Sequence, residues 1–232
     1  MIIHRKASDR GNTRLNWLDG RHTFSFNRYY DPAWMGFRTL RVINDDIVAP
    51  KGGFGTHPHR DMEIVTWVLE GVLKHRDSTG SEGEIRPGEA QRMSAGTGIL
   101  HSEFNGSDSR RVRLLQIWIE PAEEGLQPGY EQKPFAESER QNRLRVIASQ
   151  DGRDGSVTIN QDAAIYDALL SPGGSVEHPL DVGRAAWVQV ARGAVELNGL
   201  ALEEGDGAAL TEESSVRVSA TQPSEVLLFD LK

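Results

Sequence analysis

The chain has 232 residues, 38% of them hydrophobic, with 24 Gly and 10 Pro; that is room for one large domain or two compact ones, with the turn content of a mostly β globular protein. It contains no cysteine, which excludes disulfide frameworks, thiolate zinc sites and cysteine nucleophiles. The net charge of −8 is uneven: residues 1–118 carry 17 Lys+Arg against 14 Asp+Glu, residues 119–232 carry 9 against 20, and six of the seven histidines fall in the first part. Without a Lys/Arg cluster, direct nucleic-acid binding is not expected. The mildly basic, histidine-rich first half favours an anionic ligand.

The opening MIIHRKASDR has no apolar leader core, and no run approaches the ~18 apolar residues of a membrane span, so a cytoplasmic protein free of the membrane is expected. Short runs of alternating apolar residues then recur: TLRVIN (39–44), EIVTWVL (63–69), RVRLLQIWI (111–119), RLRVIAS (143–149), SVTIN (156–160), AAWVQVA (185–191) and EVLLFDL (225–231). Turn formers such as DSTGSEG, RPGE, SPGG and EEGDG separate them, and no amphipathic helix of any length appears. This pattern predicts an all-β barrel or sandwich. Residues 120–142, rich in Pro and charge, read as a connection between domains at 1–135 and 140–232. An internal repeat agrees with that division: His57-Pro58, Trp67, Gly71 and Gly88 recur as His178-Pro179, Trp187, Gly193 and Gly205.

The stretch GFGTHPHRDMEI (53–64) places His57, His59, Asp61 and Glu63 at alternate positions, on one face if a single strand runs through. GTGILHSEFN (96–105) repeats the spacing with His101 and Glu103. Two antiparallel strands carrying these pairs would gather three imidazoles and a carboxylate. Such a set suits one divalent transition metal, Fe, Mn, Co, Ni, Cu or Zn, and leaves positions open for water, substrate or dioxygen. Spacing leaves both Glu63 and Glu103 open as the acidic ligand; Glu63 could instead be a surface partner of Arg60 or Lys74. The second copy is depleted, because Leu180 stands where the first has His59, and a metal-free second domain with His178 at the surface or hydrogen-bonded is expected. His22, Tyr29, Tyr30 and Trp34 are expected in core packing rather than at a pocket mouth, His4 and His75 are expected to be exposed, and Arg110, Arg111 and Arg113 read as a solvated strand face. There is no phosphate-binding glycine loop and no Ser-His-Asp nucleophile motif.

These two stretches resemble the paired motifs of the cupin superfamily. His57, His59 and Glu63 match the first motif, with Gly52 and Gly53 bracketing its opening glycine and Gly71 one residue late; Gly98, His101 and Asn105 match the second, with Gly96 where a proline is usual. More closely, GFGTHPHRDMEIVTWVLEG with MSAGTGILHSEFN resembles the pirin family, and the likeness extends from FSFNRYYDP to the closing EVLLFDL. The resemblance implies a bicupin, two packed β-barrels of the double-stranded β-helix or jelly-roll type. It implies a metal, with iron the first expectation, held by His57, His59, His101 and Glu103, and a role for Glu103 as base. Glu63, the acidic ligand of the general cupin pattern, would then orient a ligand imidazole from behind. The implied activity is a quercetin 2,3-dioxygenase, opening a flavonol heterocycle with O2 and releasing CO. The alternatives are a dioxygenase of another small enol or diphenol, or a non-catalytic, redox-sensitive regulator that contacts a protein partner through its acidic C-terminal domain.

Overall fold

The alternating runs become strands because alternate side chains can be buried on one face of a sheet while every backbone group pairs with a neighbour. The computed structural model describes residues Met1–Lys232. In its first part the strands are β1 (Ile2–Arg5), β2 (Gly11–Arg14), β3 (Leu18–His22), β4 (Leu40–Val48), β5 (Gly53–His59), β6 (Glu63–Glu70), β7 (Leu73–Asp77), β8 (Glu82–Ile85), β9 (Glu89–Ser94), β10 (Ile99–Asn105), β11 (Val112–Ile119) and β12 (Gly129–Pro134). A single α-helical turn, α1 (Glu137–Arg140), follows. The later strands are β13 (Arg145–Ser149), β14 (Val157–Thr158), β15 (Ala163–Leu170), β16 (Ser175–Pro179), β17 (Ala185–Arg192), β18 (Ala194–Leu197), β19 (Leu200–Glu203), β20 (Gly207–Leu210), β21 (Ser215–Ala220) and β22 (Ser224–Leu231). No helix is long and apolar enough to cross a membrane.

The chain forms two compact units, one of Gly11–Pro134 with Val157–Gln161, the other of Met1–Arg10, Phe135–Ser156 and Asp162–Lys232. Two segments thus lie outside the division read from sequence. Met1–Arg10 joins the later unit because β1 pairs antiparallel with β20, from Ile2 opposite Leu210 to Arg5 opposite Gly207. Val157–Gln161 joins the earlier one, where Asn160 accepts from the Ala122 backbone and the Gln161 amide donates to the Glu120 carbonyl. Part of the stretch read as a connection is also structural, since β12 pairs with β9 along its whole length. Its residues, GYEQKP, hide no apolar face.

In the earlier unit one sheet has the order β12-β9-β6-β11-β4-β3-β2 and the other β5-β10-β7-β8. The later unit repeats the scheme, with β1-β20-β17-β22-β15-β13 in one sheet and β16-β21-β18-β19 in the other. The sequence repeat is this topology. Trp67 of β6 lies opposite Leu115 of β11, and Trp187 of β17 opposite Phe229 of β22, all buried. Gly71 and Gly193 turn the chain out of those strands at φ of 81° and 77°, a left-handed geometry that side chains resist. The all-β, jelly-roll expectation holds, and only the closure of the barrels is corrected. No strand hydrogen-bonds to both sheets of its unit, so each is an open jelly roll of two antiparallel sheets rather than a closed barrel.

The interiors differ. The later unit is filled by one apolar cluster that includes Val176, Leu180, Val188, Val216, Val218 and Leu228. In the earlier unit the apolar core is divided, with Leu18, Val48, Val68, Leu73, Ile85, Val112 and Leu114 in one cluster and Ile64, Met93, Ala95 and Ile99 in another.

Candidate metal centre

The earlier unit also buries polar side chains: His22, Asn44, Asp46, Thr66, His75, His101, Glu103 and Gln116. Strands β5 and β10 run antiparallel, with His57 opposite His101 and His59 opposite Ile99. The register shifts between His101 and Glu103, which bends β10 locally and sets Glu103 opposite Phe54. Gly53 permits this approach, because a Cβ there would collide with the Glu103 carbonyl oxygen.

His57, His59 and His101 bring one ring nitrogen each within 4.8 Å of the others; His101 and Glu103 do the same with His75. Nε2 of His57 lies 3.0 Å from Nε2 of His101. The opposite nitrogen of each ring faces away, His57 Nδ1 donating to the Gly55 carbonyl at 2.8 Å and His101 Nδ1 standing 3.5 Å from His75 Nδ1. His75 Nε2 in turn is 3.0 Å from Asp77 Oδ2, and Asp77 is fixed by Thr79 and Ser81. A carboxylate accepts only, so His75 donates to Asp77 from Nε2, and its Nδ1 lone pair faces two donors, the Gln91 amide at 3.3 Å and His101 Nδ1 at 3.5 Å. That relay leaves the His101 Nε2 lone pair directed at His57. His75 therefore supports His101 rather than offering a nitrogen to the same ion, despite its place in the second cluster.

Burial and the neighbouring His57 push His59 down to about 4. Burial, then His57, His59 and His75, push His101 down to about 2. Both are neutral at neutral pH, the form in which imidazole ligates metals. Glu103 is pushed up to about 7 by burial, against the hydrogen bonds of Gln116 and Thr66. The Thr66 hydroxyl donates to Gln116 Oε1 at 2.8 Å, so the amide nitrogen of Gln116 faces both oxygens of Glu103 at 3.0 Å. Two imidazole lone pairs facing at 3.0 Å repel unless a proton or cation lies between them. With neutral rings and a carboxyl beside them, this donor set fits a divalent transition ion.

The stripe of four groups read along residues 57–63 does not form. Strand β5 ends at His59, and Asp61, at φ 46°, turns the chain into β6 of the other sheet. Asp61 accepts from the Gly125 backbone and Arg60. Glu63 is buried, but it accepts from Ser94 at 2.8 Å and Asn160 at 3.1 Å and belongs to neither ligand cluster. It is not a surface partner of Arg60 or Lys74 either.

A cavity of about 690 Å³ adjoins the cluster, lined by His57, His59, Glu103 and Gln116, by the aromatic rings of Trp17, Phe26, Phe54 and Trp118, and by His22, Asn44 and Asp46. His22 is buried as expected, yet it also faces this cavity, held by Thr13 and Asn44 at 2.8 Å each. His75, expected at the surface, is buried; its neighbours in β7, Lys74 and Arg76, are charged and exposed, which disguised the alternation. His4 pairs with Asp206, and Tyr30 is exposed. Of the arginines read as a solvated face, Arg113 makes a two-pronged pair with Asp45, mostly out of solvent, while Arg111 meets Glu70 at the surface. In the later unit His178 lies opposite Val216 and is tied to Asp230 at 2.8 Å, and Arg184 also binds that carboxylate. Leu180, Val216 and Val218, all in the apolar cluster, occupy the places that correspond to His59, His101 and Glu103.

Two jelly rolls of one topology, with a polar histidine cluster in the first and an apolar filling in the second, define a two-domain cupin. The model of the Pirin family matches residues 4–119, and that of a "Quercetinase C-terminal cupin domain" matches residues 146–231. The chain belongs to the pirin family. It is 49% identical over 232 residues to an Escherichia coli (strain K12) protein named quercetin 2,3-dioxygenase, covering 100% of this chain and 99% of that one. Its structure resembles that of the E. coli pirin YhhW in complex with nickel(II), with a TM-score of 0.94 at 48% identity over 100% of this chain and 99% of the other. An Acinetobacter baumannii quercetin 2,3-dioxygenase superposes with a TM-score of 0.78 at 25% identity, covering 96% and 85%.

Proposed function

We propose that this chain is a metal-dependent dioxygenase of flavonols, with one divalent ion held by His57, His59, His101 and Glu103. The observation that carries it is the meeting of His57, His59 and His101, with Glu103 grouped to His101, beside a cavity that His57, His59, Glu103 and four aromatic rings line. The relative that binds nickel and the relatives named for quercetin support the same reading. A divalent ion here would supply Lewis acidity that lowers the pKa of a substrate hydroxyl.

The chain's own groups do the rest. Trp17, Phe26, Phe54 and Trp118 offer apolar surface to a flat polycyclic substrate and displace water around it. Glu103, a ligand and also the base in this reading, takes the hydroxyl proton. Gln116 steadies both of its oxygens, and Thr66 fixes which way that amide points. Ring opening then incorporates O2 and expels CO. The later unit, with one imidazole committed to Asp230, serves no metal in this reading.

Metal-loaded protein mixed with quercetin in air should lose flavonol absorbance with matching O2 uptake and CO release. Protein that binds quercetin without consuming O2, whichever divalent ion is loaded, would remove the enzymatic reading.

A further inference from the structure

Most buried acids in this unit have partners: Glu103 has Gln116, Glu63 has Ser94 and Asn160, and Asp45 has Arg113. Asp46 departs from that pattern. It is 5% exposed and lines the cavity, and its Oδ1, sealed over Gly20, has no hydrogen-bond partner. It projects from β4 over Gly20 of β3, its cross-strand neighbour, where a Cβ would come within 2.6 Å of Oδ1. The glycine leaves room for the carboxyl without supplying anything to bind it.

An orphaned buried carboxyl is costly to a fold, and leucine or asparagine would be cheaper there. The acids around it, Asp45, Glu103 and Asp19, only raise the cost of ionising it. Burial and these acids push its carboxyl up to about 8. A carboxyl bonds a hydroxyl in either form, accepting from it when ionised and both donating and accepting when protonated. The walls around it are aromatic, so the entering group is carried on a flat, largely apolar body.

We propose that Asp46 is the specificity group of this cavity, hydrogen-bonding a phenolic hydroxyl of the substrate other than the hydroxyl presented to the histidines. The inference rests on the flavonol reading and narrows it to polyhydroxylated flavonols. Quercetin and 3-hydroxyflavone share the 3-hydroxyl and the adjacent carbonyl, and differ in the hydroxyls of the outer rings. A site built to bond a hydroxyl rejects the analogue that lacks it, because the site's own polar group is left unpaired.

The test is an anaerobic titration of both compounds into metal-loaded wild type, Asp46→Leu and Asp46→Asn, read from the flavonol absorbance shift. The wild type should prefer quercetin by about 10- to 100-fold, the value of one or two buried hydrogen bonds. Asp46→Leu should lose that preference while holding 3-hydroxyflavone at least as well, and Asp46→Asn, which can still bond a hydroxyl, should keep part of it. Should Asp46→Leu not fold, loss of part of the preference in Asp46→Asn, with 3-hydroxyflavone binding unchanged, decides in favour. A wild type without preference, or a preference intact in every folded variant, overturns the role of Asp46 alone. A wild type that binds neither compound overturns the flavonol reading itself, and this proposal with it.

Discussion

Replacing Glu103 by Gln should stabilise the metal-free protein at alkaline pH and destabilise the metal-loaded protein at the same pH. Burial raises the Glu103 carboxyl from an ordinary 4.5 to about 7, so the folded state holds its proton more tightly than the unfolded state does. Below about pH 4.5 both states are protonated and the group is harmless. As pH rises through 4.5 to 7 the unfolded chain gives up this proton first and gains the advantage, and above pH 7 the whole penalty is present. At about 1.4 kcal/mol per unit, the interval from 4.5 to 7 amounts to roughly 3 kcal/mol. For a chain of this length that is a difference of roughly 6–12 °C in melting temperature. Asp46, whose carboxyl Glu103 also pushes up, ionises more easily in the variant and adds to its advantage at alkaline pH. Thermal melts of metal-free wild type and Glu103→Gln, followed by circular dichroism from pH 4.5 to 8, should therefore coincide at the acid end and diverge towards pH 8, the variant melting higher. Metal reverses the order, because the ion binds the carboxylate form and stabilises whatever binds it in the folded state. A metal-free variant that melts no higher than wild type at pH 8 would refute the claim that Glu103 is buried without charge compensation.

His57→Ala, His59→Ala and His101→Ala should each remove most of the bound metal, whereas His178→Ala should leave it, as elemental analysis after dialysis will show. His75→Phe fills the same buried space but cannot accept from His101; metal affinity should fall on the order of 10- to 100-fold in a chelator competition, with the far-ultraviolet spectrum unchanged. Glu63→Gln should leave metal content and affinity at wild-type values and cost about 1 kcal/mol of stability through its bonds to Ser94 and Asn160; a loss of metal in that variant would return Glu63 to the site. Gly53→Ala should lower metal occupancy and melting temperature together, since the added Cβ forces β5 away from Glu103.

The sequence by itself determined what depends on local periodicity. Alternating apolar runs predicted the strands of both units, and the repeated His-Pro, Trp and Gly landmarks marked two copies of one topology. The histidines at 57, 59 and 101 were legible for the same reason, since alternate positions on paired strands must share a face. What the sequence left open was everything set by which strand lies beside which. Glu63 kept perfect alternation with His57 and His59, yet a turn at Asp61 carried it into the other sheet, and a turn of that kind in Arg-Asp carries little local signal. His75 looked exposed beside Lys74 and Arg76, because its burial comes from β10 and from Gln91 and Tyr130, each distant in sequence. The placement of Met1–Arg10 with β20 arises from backbone pairing across some two hundred residues, to which the side chains contribute no pattern. Asp46 stands next to Asp45 in the sequence, with nothing there to tell the two apart. Only the packed interior, by giving Asp45 an arginine and leaving Asp46 Oδ1 without a partner, separated the two.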